Sequence, residues 1–203
     1  PDTEEAVGSI PSAPTMITRP LEGLHTRMSE KTNIPIEVLR HSAAHLLAHA
    51  VLDLYPETKT GIGPAVETGF YYDFLRDVPF TPEDLDKIEA RMKEIAREDV
   101  PVERLVLAKD EAVRMFEEKG QPLKVELIRE KGDATVTVYR QGPFADFCLG
   151  PHVPSAGALA HVKLLSVSGA YWKGDEHGPQ MQRIYGTVFP TARELDEHLR
   201  MLE

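Results

Sequence analysis

The chain has 203 residues, of which 41% are apolar and 28% charged, and it contains a single cysteine. The composition is ordinary for a soluble globular protein of one large or two small domains, and one cysteine excludes an internal disulfide bond. No apolar run approaches the roughly 18 residues of a membrane span, and no secretory leader precedes the first predicted helix. We therefore expect a cytoplasmic protein with no membrane partner.

The net charge of −10 argues against binding to a long nucleic-acid duplex. The acidic residues lie mainly on amphipathic segments of the first half, whereas the stretch around Cys148 and His152 is near neutral. A partner that touches only this stretch would avoid most of the electrostatic repulsion.

The N-terminal residues 1–33 contain scattered proline, serine, threonine and glycine and have no sustained hydrophobic period. This composition predicts an extended N-terminal arm or linker over 1–33, followed by one folded domain over 34–203. The first residue is not methionine, so we expect a cut-out piece or a processed product of a longer protein.

A long helix is predicted from Pro35 to Leu54. Asn33 is placed to cap it, Pro35 suits its first turn, and Pro56 ends it. The 3.6-residue period predicts that its core-facing stripe consists of Leu39, Leu46, Ala50 and Leu54.

The other predicted elements alternate without the regular βαβ order of a parallel sheet. Strands are predicted at 59–65, 69–75, 102–107, 135–140, 160–168, 170–172 and 181–188, and further helices after Thr81, at 109–119, 123–130 and 191–202. The stretch from Phe144 to His152 is predicted as a loop. This order favours an α+β fold with an antiparallel sheet packed with helices.

Two pairs of imidazole or thiol groups carry the candidate chemistry. His41 and His45 are one helical turn apart, so both rings leave the same face of the first helix. Cys148 and His152 are also four residues apart, and the intervening Gly-Pro predicts a tight turn that brings His152 back towards the cysteine. Because the only cysteine lies in one of the two pairs, we expect all four groups to share one site.

Two kinds of chemistry remain open for such a site. Three histidines and one cysteine match the ligand types and number of tetrahedral zinc, which is structural with four protein ligands and catalytic with three and a water. Without a metal, one histidine would deprotonate or orient a water and another would protonate a leaving oxygen. Cys148 would then shape the pocket or attack as a thiolate.

The spacing of these four groups resembles the editing domain of threonyl- and alanyl-tRNA synthetases and of freestanding deacylases. The flanking sequence is similar to the threonyl branch. Six blocks match its pattern in order, namely Arg40–Leu47, Ile62–Pro64, Gly69–Asp73, Asp146–His152, Gly169–Asp175 and Gln182–Thr187.

This resemblance implies hydrolysis of the ester at the 3′ terminal adenosine of seryl-tRNA(Thr) by an activated water. Serine is threonine without one methyl group, which is worth only about 1–3 kcal/mol in a binding pocket, so a second site must supply further selectivity. The implied partners are the acceptor end of threonine tRNA carrying serine and the aminoacylation core of a parent synthetase.

The resemblance also implies which residues form the pocket. The catalytic set would be His41, His45, Lys124, Asp146, Cys148 and His152, and the substrate-binding positions would be Gly63 and Tyr139. The Lys124 cation would stabilise the developing oxyanion or hold the water. Without the resemblance, Lys124 would be assigned as a solvated helix charge and Tyr139 as a core residue.

A two-layer α+β domain with the first histidine pair on a long helix is implied as well. The threonyl branch suggests editing without a cofactor, whereas alanyl-type relatives bind zinc through the groups corresponding to His41, His45, Cys148 and His152. No aminoacylation core follows in the sequence, so we expect an excised or freestanding editing domain that does not aminoacylate. The alternatives are an alanyl-type trans-editing deacylase and a non-catalytic tRNA-binding module stabilised by zinc.

Overall fold

The structure is a computed structural model that describes residues 34–202. Within this range, helices and strands form two antiparallel sheets with packed helices, which confirms the predicted α+β class. The elements are α1 (Ile36–Leu54), β1 (Lys59–Thr60), β2 (Ala65–Val66), β3 (Gly69–Leu75), α2 (Pro82–Glu98), β4 (Val102–Ala108), α3 (Lys109–Glu118), α4 (Pro122–Lys131), β5 (Thr135–Gln141), β6 (Phe144–Phe147), β7 (Val162–Tyr171), β8 (Gln180–Val188) and α5 (Ala192–Leu202). The predicted arm over 1–33 lies outside the described residues.

The larger sheet has the strand order β1-β3-β8-β7, with the short β2 paired to β3. Alternation along β3 turns Phe70, Tyr72 and Phe74 towards α1, and all three are fully buried. Asp73 lies on the opposite face, where it accepts two hydrogen bonds from the Arg183 guanidinium of β8. The main core therefore lies between one face of this sheet and the helices α1 and α2.

Helix α1 is buried around most of its circumference, because every residue from 42 to 51 is buried. Small alanines in this stretch allow the helix to lie close to β3 and α2. Two of the buried residues are His45 and His49, so the helix carries polar groups into the interior. Buried polar groups need partners, and these partners define the site described below.

The ends of α1 differ in part from the sequence prediction. Pro35 occupies the N-cap position, with φ −55° and ψ 140°, and the predicted cap Asn33 lies outside the described residues. Leu39, Leu46 and Ala50 are buried as predicted, whereas Leu54 is 39% exposed. The prediction for Leu54 is wrong because the core contacts at this end of the helix are made by Val51, Leu52 and Tyr55 instead.

The smaller sheet has the strand order β4-β5-β6 and packs against α3 and α4. Its core contains Phe116, Ile128 and Val138, all fully buried. A third cluster, formed by Leu123, Leu127, Trp172 and Met181, joins α4 to the end of the β7–β8 hairpin. Helix α4 is thereby held between the two sheets.

Three predicted strands and one predicted loop differ from what is observed. The predicted loop from Phe144 to His152 begins with strand β6, which pairs with β5. The two strands predicted at 160–168 and 170–172 are one strand, β7, with a bulge between Leu164 and Ser166. The predicted strand at 59–65 is interrupted at 61–64, where Gly61 lies so close to the Asp73 carbonyl that no side chain would fit.

Helix α2 begins directly after Thr81, as predicted. Thr81 caps it and forms a capping box with Asp84, and Ile88, Met92 and Ile95 are fully buried. One of its acidic residues is buried too. The Glu89 carboxylate accepts a hydrogen bond from the backbone N–H of Leu164 in β7.

The last helix, α5, lies within the predicted range 191–202 and is amphipathic, but it has no buried residue. Leu195 and Leu199 are half-buried, while Leu202 is 59% exposed. Among residues 34–202, no helix has both the length and the apolar content that a membrane span requires.

Candidate functional site

The first histidine pair projects from one face of α1, as predicted. The ring centroids of His41 and His45 are 5.4 Å apart, and both rings face His152, at 4.5 and 4.1 Å. His41 is half-buried and His45 is buried. His49, one helical turn further along α1, instead packs on Phe144 and forms a hydrogen bond with the Gln141 side chain.

The second pair is carried by the segment that follows β6. His41 Nε2 lies 2.9 Å and His152 Nε2 lies 3.3 Å from the Cys148 Sγ. The return of the chain depends on Gly150, whose φ is +72° and whose added Cβ would overlap the Tyr139 hydroxyl. The four groups therefore converge on one point, with their ligand atoms all within 4.8 Å of one another.

Asp146 connects this cluster to the interior. Its side chain is 2% exposed, and its Oδ2 accepts a hydrogen bond of 2.6 Å from the Tyr72 hydroxyl. His45 Nε2 lies 3.4 Å from the same oxygen. The Lys124 ammonium contacts Oδ1 as an ion pair, away from the ideal hydrogen-bond direction. The carboxylate is thus shared by a cation, a phenol and an imidazole.

Lys124 is fully enclosed by the protein, at 2% exposure. The residue pattern alone assigns Lys124 as a solvated charge on a helix, and this assignment is therefore wrong. Lys124 enters the site because α4 is anchored at its first turn by Gln121, whose Oε1 accepts hydrogen bonds from the Thr60 N–H and hydroxyl. The Gln121 Nε2 donates to the Thr58 carbonyl.

Tyr139 and Gly63 lie at different distances from the cluster. The Tyr139 ring is 4.3 Å from the His152 ring, so it packs directly beside the cluster. Gly63 lies against the Tyr72 ring, which a side chain at position 63 would overlap. Its link to the four converging groups therefore runs through Tyr72 and Asp146.

Two polar residues at this site were absent from the sequence prediction. Tyr72 looks like one more aromatic residue of a strand, and only the contact with Asp146 gives it a role in the site. Ser42 is buried, and its Oγ lies 3.2 Å from His152 Nδ1 and accepts a hydrogen bond from the Val153 N–H. Its position between the two histidines of α1 was the only signal in the sequence.

Burial sets the protonation states of the cluster. It lowers the pKa of His41. It also lowers the pKa of His45 well below the ordinary value, and the nearby His41 and Lys124 lower this pKa further. Burial, followed by the proximity of His45 and His41, lowers the pKa of His152 to about 2. Burial also raises the pKa of the Cys148 thiol to about 11. At neutral pH the imidazoles are therefore uncharged and the thiol is protonated.

The four groups also fit a zinc ion. Tetrahedral zinc with nitrogen and sulfur ligands places its ligand atoms about 3.3–3.8 Å apart. The observed separations, 2.9 and 3.3 Å to the Cys148 sulfur and no more than 4.8 Å for any pair, bracket this range. His41, His45, Cys148 and His152 would hold the ion, which would supply a Lewis acid and lower the pKa of any bound water.

Part of the chain that carries the site matches a known protein family. Residues 136–185, which include Tyr139, Asp146, Cys148 and His152, match the family described as the threonyl and alanyl tRNA synthetase second additional domain. His41, His45 and Lys124 lie outside the matched range.

Similar curated proteins cover most of the chain. A threonine–tRNA ligase of Pelobacter propionicus is 53% identical over 176 residues, or 87% of this chain and 28% of the relative. Those of Carboxydothermus hydrogenoformans and Myxococcus xanthus are 53% and 51% identical, over 82% and 83% of the chain. The chain spans little more than a quarter of the length of these relatives. It belongs to the family of the second additional, or editing, domain of threonyl and alanyl tRNA synthetases and is similar to the threonyl branch.

Proposed function

We propose that residues 34–203 form an aminoacyl-tRNA deacylase unit that hydrolyses the ester of seryl-tRNA(Thr). The relatives described above are named threonine–tRNA ligases, which makes threonine tRNA the RNA to consider. The stretch around Cys148 and His152 is near neutral, so the acceptor end of a tRNA that contacts this stretch meets little repulsion.

One observation carries this proposal: a buried carboxylate–ammonium pair borders a cluster of uncharged imidazoles. Asp146 and Lys124 are both enclosed, and His45 Nε2 faces the carboxylate at 3.4 Å. A carboxylate beside an imidazole orients the ring and stabilises it when it takes up a proton. This arrangement suits removal of a proton from water.

The proposed reaction is a hydrolysis that needs no further reactant. One of the three imidazoles accepts a proton from water while the water oxygen attacks the ester carbonyl carbon. The bond between the carbonyl carbon and the ribose oxygen then breaks, and the ribose oxygen takes up a proton. The products are serine and a tRNA with a free 3′ end.

Lys124 has a supporting role in this scheme. Its ammonium is already engaged by Asp146 in the closed interior. We assign it to holding the carboxylate ionised and in place, because an unpaired buried carboxylate would be strongly disfavoured.

Selectivity for serine is assigned to the size of the pocket. Tyr139 borders the cluster next to His152, and Gly150 closes the turn beneath the Tyr139 hydroxyl. Gly63 contributes indirectly by allowing the loop at 61–64 to lie against Tyr72. A pocket bounded in this way would admit the serine side chain and exclude the threonine methyl group sterically.

A deacylation assay on the chain tests this function. Seryl-tRNA(Thr) should be hydrolysed faster than threonyl-tRNA(Thr), and His45→Ala should abolish the reaction. His177→Ala is a matched control, because its side chain is 87% exposed, and it should keep the wild-type rate. Equal rates with the two substrates, or no hydrolysis of either, would overturn the serine-selective deacylase.

The same assay with seryl-tRNA(Ala) separates the alanyl-type alternative, which would hydrolyse that substrate preferentially. The converging His41, His45, Cys148 and His152 favour a second candidate, a zinc-stabilised binding module without activity. That candidate requires stoichiometric zinc for folding.

A further inference from the structure

The buried Ser42 hydroxyl accepts one hydrogen bond and still needs an acceptor for its own hydrogen. Ser42 lies in α1 between His41 and His45 and is 2% exposed. The Val153 N–H donates to Ser42 Oγ at 3.0 Å, which engages one lone pair of the oxygen. The hydroxyl hydrogen still needs an acceptor, since buried donors are nearly always hydrogen-bonded.

His152 Nδ1 is the acceptor within reach. It lies 3.2 Å from Ser42 Oγ, and among residues 34–202 no other acceptor is hydrogen-bonded to this hydroxyl. Serine hydroxyls in helices often donate to the carbonyl four residues back, but that bond is absent here. The Ser42 hydroxyl therefore donates to Nδ1, which must present a lone pair.

The hydrogen bond at Nδ1 determines whether the other ring nitrogen, Nε2, carries the proton. A neutral imidazole has one N–H and one lone pair, so a lone pair at Nδ1 places the proton on Nε2. His152 Nε2 faces the Cys148 Sγ at 3.3 Å and can donate to it. The Gly150 N–H approaches the same sulfur, also at 3.3 Å. In this pattern the sulfur accepts two hydrogen bonds from its own loop.

We propose that Ser42 is a positioning residue that fixes His152 as the Nε2-protonated tautomer, with its N–H donor directed at the Cys148 sulfur within the cluster. One hydroxyl thereby performs two tasks. It ties the chain at Val153 to α1, and it sets the donor direction of the ring beside that tie. The catalytic part of this inference rests on the proposed deacylase function, whereas the tautomer itself does not.

This tautomer has a consequence for metal binding at the same site. A zinc ion in the cluster would need the Nε2 lone pair of His152, which this tautomer does not offer. Zinc binding would therefore require the His152 proton to move to Nδ1 and the Ser42 hydroxyl to turn from donor to acceptor. The hydroxyl thus favours the metal-free arrangement of the four groups.

Nitrogen-15 NMR of the histidine-labelled, chelator-treated chain tests the proposal directly. The His152 signals are identified by their loss in His152→Gln. We expect a pyridine-type Nδ1 that accepts a hydrogen bond and a pyrrole-type, protonated Nε2. In Ser42→Ala the Nδ1 signal should move to the position of a pyridine-type nitrogen without a donor. A protonated Nδ1 in the wild type, or an Nδ1 signal unchanged in Ser42→Ala, would overturn the proposal.

A matched control and a rate measurement complete the test. Thr187→Val removes a fully buried hydroxyl that donates to the Thr68 carbonyl, away from the cluster, and should leave the His152 signals unchanged. Ser42→Ala should lower kcat for deacylation about 10- to 100-fold, the range seen when a residue that orients a functional histidine is lost, with a smaller change in KM. Ser42→Thr retains the hydroxyl and should retain the tautomer.

The two proposals fail separately. A wild-type chain without deacylase activity would overturn the proposed function alone, because the nitrogen signals still report the tautomer. If Ser42→Ala does not fold, the wild-type nitrogen signals decide the assignment by themselves.

Discussion

The Lys124 ammonium meets the Asp146 carboxylate in the interior, where each side chain has only 2% of its surface exposed. The Tyr72 hydroxyl and His45 Nε2 approach the other carboxylate oxygen. Three elements distant in the chain, α4, β3 and α1, are thus joined through the one carboxylate of β6. The site and the packing of the two sheets depend on the same contact.

Removing one member of this pair should destabilise the protein as well as inactivate it. Lys124→Met leaves the Asp146 carboxylate buried without its cation, and we expect a loss of about 3–5 kcal/mol in the free energy of unfolding. Urea denaturation at pH 7 measures this loss. Lys131→Met changes an exposed lysine of the same helix and should alter stability by less than about 0.5 kcal/mol. Similar stabilities for the two variants would show that the pair is not coupled to the fold.

The double variant Lys124→Met/Asp146→Asn should recover part of the lost stability, since it removes the unpaired charge. Its deacylase activity should stay absent, because the carboxylate that orients His45 is gone. Recovery of activity would contradict the role assigned to Asp146.

Local pattern predicted the parts of this site that lie within one segment. The spacing of His41 and His45 places both rings on one helical face, and the Gly-Pro turn predicts the approach of His152 to Cys148. Both relationships extend over four residues and depend on backbone geometry alone.

Long-range contacts could not be predicted in this way. Lys124 has the sequence environment of a surface helix, and its burial depends on Gln121 bonding β1 some 61 residues away. Tyr72 and Asp146 are 74 residues apart, and no period in the sequence relates them. For Lys124, Gly63 and Tyr139 the prediction depended on the family resemblance.

Because of Glu89, the free energy of unfolding should depend on pH in the acidic range. Burial by itself would raise its pKa, but hydrogen bonds from Lys93, the Leu164 N–H and Lys163 together hold the pKa of Glu89 below its usual value. A lowered folded-state pKa adds stability above the unfolded-state value near 4.3, and this stability is lost as the pH falls through the lower folded-state pKa.

The variant Glu89→Gln isolates this contribution. At pH 7 it should reduce the free energy of unfolding by about 1–3 kcal/mol, the range for hydrogen bonds to charged groups. The difference from the wild type should shrink as the pH is lowered below about 4. Glu111→Gln, at an exposed position of α3, serves as the control in urea titrations at several pH values. A difference that stays constant down to the lowest pH would contradict this linkage.

Metal removal should leave the fold intact. The main core between α1, α2 and the larger sheet is apolar and does not include the four converging groups. Hydrogen bonds within the protein also hold the cluster together. Cys148 contacts His41 and His152, and His152 contacts Ser42. We expect the melting temperature and the deacylation rate to be unchanged after treatment with a chelator, with elemental analysis confirming zinc removal. Unfolding on chelation would favour the zinc-stabilised module instead.

Alanine substitutions at two glycines distinguish the free-energy cost of a left-handed backbone from the cost of displacing neighbouring side chains. Gly150 and Gly174 have φ values of +72° and +76°. A Cβ at Gly174 would meet nothing within 4 Å, whereas one at Gly150 would overlap the Tyr139 hydroxyl. Gly174→Ala should therefore cost only the left-handed conformation, about 1–2 kcal/mol.

Gly150→Ala should cost more than Gly174→Ala in urea denaturation, because Tyr139 or the segment from Cys148 to His152 must also move. Since the Tyr139 ring lies 4.3 Å from the His152 ring, this movement should reach the cluster. We expect Gly150→Ala to lose most of its deacylase activity at a temperature where it remains folded, while Gly174→Ala keeps the wild-type rate. Equal stabilities together with equal rates would mean that the turn at Gly150 does not hold the pocket in place.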